Sequence, residues 1–189
     1  MDNSSETTAT KISKARRIVR YTVAVAASIL LIFVCIVGFN FYRLSPGRLF
    51  AENYTTYELT TSSDGNNSVE SKIEKAYREK NYAEVIKLNA NSVLSVKDIF
   101  LTAISFLETD DPSRAISNFQ VVIADVKADK EDSVLKDATE YYLALAYLKN
   151  NDYDQAIELM NTIHDNSSHL YRKKFSLKYI RRVKRLKWR

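Results

Sequence analysis

Beyond Gly65 the chain contains no glycine, and Pro112 is its one proline. Sheets and tight β-hairpins draw on glycine for positive φ and on proline for fixed φ, so a stretch this poor in both favours helices joined by short polar turns. From Ser68 onward apolar residues recur at helical spacing, which places one face of each helix against a core. The expected fold class is all-α. Of the 189 residues, those left after a leader and the apolar run described below suit one domain of ordinary size.

A longer pattern overlies the helical one. Leu143, Ala144 and Tyr147 are followed by the polar turn Asn150, Asn151, Asp152 and Tyr153, then by Ala156, Ile157 and Met160. Ala103 and Phe106 precede Asp110, Asp111 and Pro112, with Ala115, Ile116 and Phe119 after them. A first copy runs from Ala76 and Tyr77 through Asn81 and Tyr82 to Val85 and Ile86, with Asn89 where an aromatic is expected. Small side chains let two helix backbones approach, and a large neighbour fills the gap beside them. One hairpin cannot bury its own apolar face, so the three must stack, and a terminal helix must cover the last of them.

These residues, most specifically Leu143, Ala144, Tyr147, Asp152, Tyr153, Ala156 and Ile157, resemble the tetratricopeptide repeat (TPR) family. The resemblance implies a TPR-like helical-hairpin solenoid of about three repeats. Val85, Ala115 and Ala156 are 30 and 41 residues apart, against about 34 in a regular array. The longer interval is expected to sit in the charged loop Lys127 to Asp132. Neither the family's tryptophan and glycine nor a closing proline is present, so the repeat is a degenerate one.

Residues 21–42 carry no charge, and Tyr21 to Phe39 is rich in Val, Ala, Ile, Leu and Phe. As a helix that stretch would reach about 29 Å, near the thickness of a bilayer's hydrocarbon. Lys11, Lys14, Arg16, Arg17 and Arg20 precede it, and Arg43 and Arg48 follow; this bias expects a cytoplasmic N-terminus. A cleaved signal peptide is shorter and ends in small residues, whereas this run leads into Phe39, Asn40, Phe41 and Tyr42. The expected organisation is a cytoplasmic basic leader (1–20), a single transmembrane helix (21–42), a linker (43–67), a TPR-like domain (68–166) and a basic amphipathic C-terminal helix (167–189). The domain is then periplasmic or otherwise extracytoplasmic. This layout resembles membrane-anchored TPR-like proteins of Bacteroidota and the inner-membrane TPR proteins beside the bacterial secretion channel, which implies an assembly or quality-control adaptor.

Within the linker, Leu49, Phe50, Tyr54, Tyr57 and Leu59 are too apolar for an idle tether and are expected to dock on the first hairpin or to bind a partner. Charge is segregated. Leu49 to Asp165 holds 21 acidic and 11 basic residues, whereas Arg172 to Arg189 holds ten Lys or Arg and no carboxylate. As a helix, that end sets Tyr171, Phe175, Tyr179, Val183 and Leu186 on one stripe. It is expected to cap the stack. Its outer cations Arg172, Lys173, Arg181, Arg182, Lys184, Arg185 and Arg189 are candidates for contact with anionic lipid or an acidic partner, or are simply solvated. Nucleic acid enters only if the orientation is reversed.

No catalytic residues are expected. The glycine-rich phosphate loop and the glycine-flanked serine elbow are missing, so ATPase and hydrolase readings lack their parts. Cys35, the sole cysteine, can form no internal disulfide, and His164 and His169 are expected to face solvent; no metal or cofactor is expected. Asp110, Asp111, Glu131 and Asp132 are expected to cap helices. The functional expectation is a non-catalytic membrane adaptor that binds a protein or peptide partner through its hairpins. Tyr141, Tyr142 and Tyr153 are the candidate anchors unless the core consumes them. The alternative is a non-catalytic subunit that stabilises a membrane-bound enzyme or secretion complex, its basic tail on anionic lipid.

Overall fold

The computed structural model describes residues 25–38, 44–59, 70–90, 94–128 and 133–188. The chain forms two compact units, Met1–Leu44 and Ser45–Arg189. In the first, helix α1 covers residues 25–38 and exposes Leu30, Leu31, Ile32, Phe33 and Ile36. No helix among the described residues is long and apolar enough to cross a membrane. Residues 21–24 and 39–42, the two ends of the expected span, lie outside the described residues.

The second unit is built from α2 (Pro46–Asn53), three hairpins and a closing helix. The hairpins are α3 (Lys72–Arg78) with α4 (Tyr82–Asn89), α5 (Val96–Glu108) with α6 (Pro112–Ala128), and α7 (Ser133–Lys149) with α8 (Tyr153–Asp165). A single turn of 3₁₀ helix, η1 (Arg172–Lys174), leads into α9 (Leu177–Leu186). Each helix packs on the next from α3 to α8, α8 packs on α9, and the first helices of the hairpins also touch in the order α3, α5, α7. Every regular element among the described residues is helical.

One turn is used three times. Lys80, Asp110 and Asn151 take positive φ, at 56°, 63° and 67°. The residue after each sends its N–H back to a carbonyl of the preceding helix: Asn81 to Ala76 (2.9 Å), Asp111 to Phe106 (2.8 Å) and Asp152 to Tyr147 (2.9 Å). These are Schellman closures, in which a left-handed residue lets the chain satisfy the last carbonyls of one helix while turning into the next. The following helix is then capped where the sequence allows. Asn81 accepts the N–H of Glu84 and Asp111 that of Arg114, and backbone hydrogen bonding to Arg114 is the main cause that holds the Asp111 carboxyl below its ordinary range. Asp110 does not cap; it pairs with Lys149 at 2.9 Å. Glu131 and Asp132 lie outside the described residues.

Behind each turn the small residues are sealed. Ala103, Ala115, Ala144 and Ala156 have no exposed surface, and neither do the fillers Phe119 and Met160. At the matching position of the first hairpin, the buried Oδ1 of Asn89 has no hydrogen-bond partner among the described residues. The extra length between the second and third copies is carried largely by helix, since α6 and α7 each have 17 residues where α4 has eight. The expected charged loop is thereby shortened, and residues 129–132 lie outside the described residues.

Two expectations are revised. Residues 46–53, expected as linker, form a helix because Ser45 accepts the Arg48 N–H at 3.2 Å and Pro46 occupies the first turn, where proline's fixed φ and missing N–H cost nothing. The C-terminal segment 167–189, expected as one helix, is not one. It restarts at Leu177, with Ser176 accepting the N–H of Tyr179. Phe175, Tyr179, Ile180, Val183 and Leu186 are buried and cap α8.

Candidate functional site

The first helices of the hairpins form one face, and the chain's own residues 49–59 lie across it. From Leu49 to Tyr57 the segment passes α9, α7, α5 and α3 in that order, reversing the order of the repeats. Four tyrosine hydroxyls hold its backbone. Tyr179 donates to Leu49 O at 2.7 Å, Tyr141 to Asn53 O, Tyr142 to Thr55 O at 2.7 Å and Tyr77 to Tyr57 O at 2.8 Å. A carboxylate adds two more holds, because Glu108 Oε1 accepts from Tyr54 OH (2.8 Å) and Thr56 Oγ1 (2.6 Å).

Apolar contact supplies the rest. Leu49 is fully buried, Tyr57 meets Phe100 edge-on at 4.9 Å, and Phe50 stacks on Tyr54 at 4.5 Å while the Lys149 ammonium lies 4.7 Å from its ring centre. The expected docking of this cluster on the first hairpin is therefore only part of the arrangement. Leu49 and Phe50 belong to α2, which packs on α7 and α9, and the extended residues after it reach the first hairpin. Desolvation raises the hydroxyl pKa of Tyr54, Tyr77, Tyr141 and Tyr142 well above the usual phenol range and pushes that of Tyr179 up to about 12.

This arrangement decides what two of the expected anchors do. Tyr141 and Tyr142 are 0% and 3% exposed, so they anchor the chain's own segment and are closed to a partner while it is in place. Tyr153 is half-buried at the third turn, its hydroxyl donating to Asn151 Oδ1 at 2.7 Å. Tyr77, Tyr179 and Glu108 were missed as holders of that segment. Their partners are backbone carbonyls and the Tyr54 and Thr56 hydroxyls of an irregular segment, which leave no periodic trace in the sequence.

On the opposite side of α7 a groove of about 550 Å³ runs between α6 and α8. Ile123, Leu143 and Leu159 give it apolar walls, and Gln120, Glu140 and Glu158 line it with polar groups. Gln120 Nε2 reaches Tyr147 OH at 3.0 Å along it. Sequence reasoning missed this groove too, because its lining comes from three separate helices, α6, α7 and α8.

The basic end divides into spent and unspent cations. Arg182 pairs with Glu52 at 2.7 Å, and that bond is the main cause lowering the Glu52 pKa. Arg172 donates to His164 O at 2.8 Å. Lys173, Arg181, Lys184 and Arg185 are exposed and have no carboxylate partner among the described residues; Arg181 donates to Leu177 O within its own helix. Arg189 lies outside the described residues.

His169 departs from its expected place in solvent: it is 4% exposed, with Nε2 3.3 Å from Glu140 and 3.6 Å from Asp137. The trio has the composition of a cation site, but the ring's other nitrogen argues against one. Nδ1 accepts the Tyr171 N–H at 3.1 Å, which leaves Nε2 as the nitrogen that carries a proton, where a metal would need a lone pair. Leu170 N–H also donates to Asp137, at 2.8 Å. The Leu170 bond fastens the loop after α8 onto α7, with the His169 ring buried beside Asp137 and Glu140 and its Nε2 making no hydrogen bond among the described residues.

A tetratricopeptide repeat family model matches residues 138–167, the stretch containing most of α7, the third turn and α8. No curated protein and no solved structure matches the chain. Three hairpins closed by one turn, with the family match on the third, make this a TPR-like protein of all-helical build, and such repeats serve contact between proteins.

Proposed function

We propose that the chain is a membrane-anchored, non-catalytic adaptor whose hairpin unit faces away from the cytoplasm and binds a protein or peptide partner. Anchoring is supported by the uncharged run 21–42, and by the way α1 exposes apolar side chains. Orientation rests on the cations that precede this run.

The observation that carries the adaptor reading is the division of surfaces in the hairpin unit. Residues 49–59 fill the face of the first helices through six side-chain hydrogen bonds. The partner is therefore assigned to the groove between α6 and α8. Its apolar walls and carboxylates suit a helix or extended segment with apolar anchors and basic flanks.

A photo-crosslinking residue placed at Tyr147 or Leu159 of the full chain, in native membranes, tests this. Discrete adducts are expected there and not from the same residue at Lys87 on the first hairpin. Equal yields at all three positions, or none, would remove the groove from the account. Cleavage of the hairpin unit by protease added to the cytoplasmic side of sealed vesicles would reverse the proposed orientation.

A further inference from the structure

The solvent face of α9 has a composition that capping does not require. Its inner face is complete without it, because Tyr179, Ile180, Val183 and Leu186 are all buried. Outside, Leu177 is 55% exposed and Trp188 86% exposed. Leu177, Arg181 and Lys184 follow one another at intervals of four and three residues, so they share one side of α9, with Arg185 beside them, and Trp188 stands two residues past the end of the helix. An exposed leucine and an exposed indole thus bracket three cations that no carboxylate of the described residues neutralises. The nearby cations with partners, Arg182 with Glu52 and Lys187 with Asp154, lie off this strip.

We infer that this strip, Leu177, Arg181, Lys184, Arg185 and Trp188, docks on anionic lipid headgroups. An acidic protein or a nucleic acid would satisfy the cations but would give a leucine and an indole at opposite ends no common apolar layer. A bilayer surface offers both at once, phosphates outside and acyl chains just beneath, and indoles settle at that boundary. The proposed anchoring, on which this inference rests, holds the chain at a bilayer; within the hairpin unit α2 is bonded to α9 through Glu52 with Arg182 and Leu49 O with Tyr179.

Trp188 is the only tryptophan in the chain and reports on its own docking. The full chain is reconstituted in phosphatidylcholine vesicles with and without phosphatidylglycerol. In the anionic vesicles at low salt, Trp188 emission shifts to the blue and is quenched by lipids brominated near the headgroup; in neutral vesicles, or at high salt, it stays that of an exposed indole. The variant Arg181→Glu/Lys184→Glu/Arg185→Glu, whose sites are all exposed, keeps its helicity by circular dichroism and loses the shift. At a factor of about five per cation near an anionic surface, losing three cations lowers its docking constant by about a hundredfold, and the reversed charges lower it further.

Emission equal in both kinds of vesicle overturns the inference, as does a blue shift produced by polyglutamate but not by anionic vesicles. Failure of the anchoring reads out separately. A chain that does not float with neutral vesicles has no anchor, whereas one that floats with Trp188 still fully exposed in anionic vesicles is anchored without this contact.

Discussion

Replacing Tyr142 with phenylalanine removes one oxygen atom and leaves a buried ring in place, so it isolates the hold on residues 49–59. The hydroxyl donates to Thr55 O at 2.7 Å, and the ring stays packed against Phe100 and Phe119 at 6.0 and 6.4 Å. Where the carbonyl left behind regains water, the loss is about 1 kcal/mol; where it stays dry the cost approaches about 3 kcal/mol. Thr55 is exposed, which favours the lower figure. Tyr141→Phe should cost at least as much, since Asn53 is half-buried. The control is Tyr153→Phe, whose Asn151 partner is exposed and should lose under about 0.5 kcal/mol. Urea unfolding of the full chain in detergent, followed by circular dichroism, measures all three. The midpoint should fall for Tyr142→Phe and Tyr141→Phe with an unchanged slope, and cleavage by added protease between Tyr54 and Leu59 should speed up. Tyr142→Phe and Tyr153→Phe with the same midpoint would refute the reasoning, because the tyrosine bonds to the segment would then contribute nothing particular.

Three further outcomes follow from named groups. Asn89→Met places a filler where Phe119 and Met160 stand in the other hairpins and removes a buried oxygen without a hydrogen-bond partner among the described residues; it should stabilise by about 1 kcal/mol, seen as a higher urea midpoint. Lys80→Gly relieves a lysine held at φ 56° and should stabilise by about 0.5–1 kcal/mol in the same assay, whereas Lys80→Val should destabilise. The raised phenol pKa values of Tyr77, Tyr141, Tyr142 and Tyr179 mean the folded state favours the neutral form. Their contribution is complete below the ordinary value of 10 and is lost as pH rises above it, so in a pH titration the share of the tyrosinate absorbance that these four supply should appear together with loss of helicity, and not before it.

The hairpins were legible because their causes are local. Ala144, Ala156 and Tyr147 report close helix approach by size alone, and Asp110 and Asn151 sit where a Schellman turn needs a residue that tolerates the left-handed region. The chain around Gly47 was not legible. A Ser-Pro-Gly triplet reads as a breaker, although serine followed by proline is equally a helix start, and the acceptance of the Arg48 N–H by Ser45 decides in favour of the start. Residues 54–59 were opaque for a different reason, since an extended segment held through its carbonyls shows no period of its own. Tyr141 and Tyr142 were legible as important but not in their role, because nothing in a sequence distinguishes an aromatic that meets a partner from one that meets a distant part of its own chain. The burial of His169 depends on Asp137 and Glu140, a full helix and turn away, and lies beyond local pattern for the same reason. The acidic body and basic ends were visible from charge alone, but which cations are spent on Glu52, Asp154 and His164 O is a matter of packing.

Occupation of the first-helix face by residues 49–59 directs any partner elsewhere, and ring-proton contacts in the full chain measure that occupation most directly. Nuclear Overhauser effects between Tyr57 and Phe100, whose ring centres lie 4.9 Å apart, and between Tyr54 and Tyr142, at 6.0 Å, are the predicted result. Random-coil shifts for the Tyr54 and Tyr57 rings, with neither contact present, would leave that face open and contradict the account.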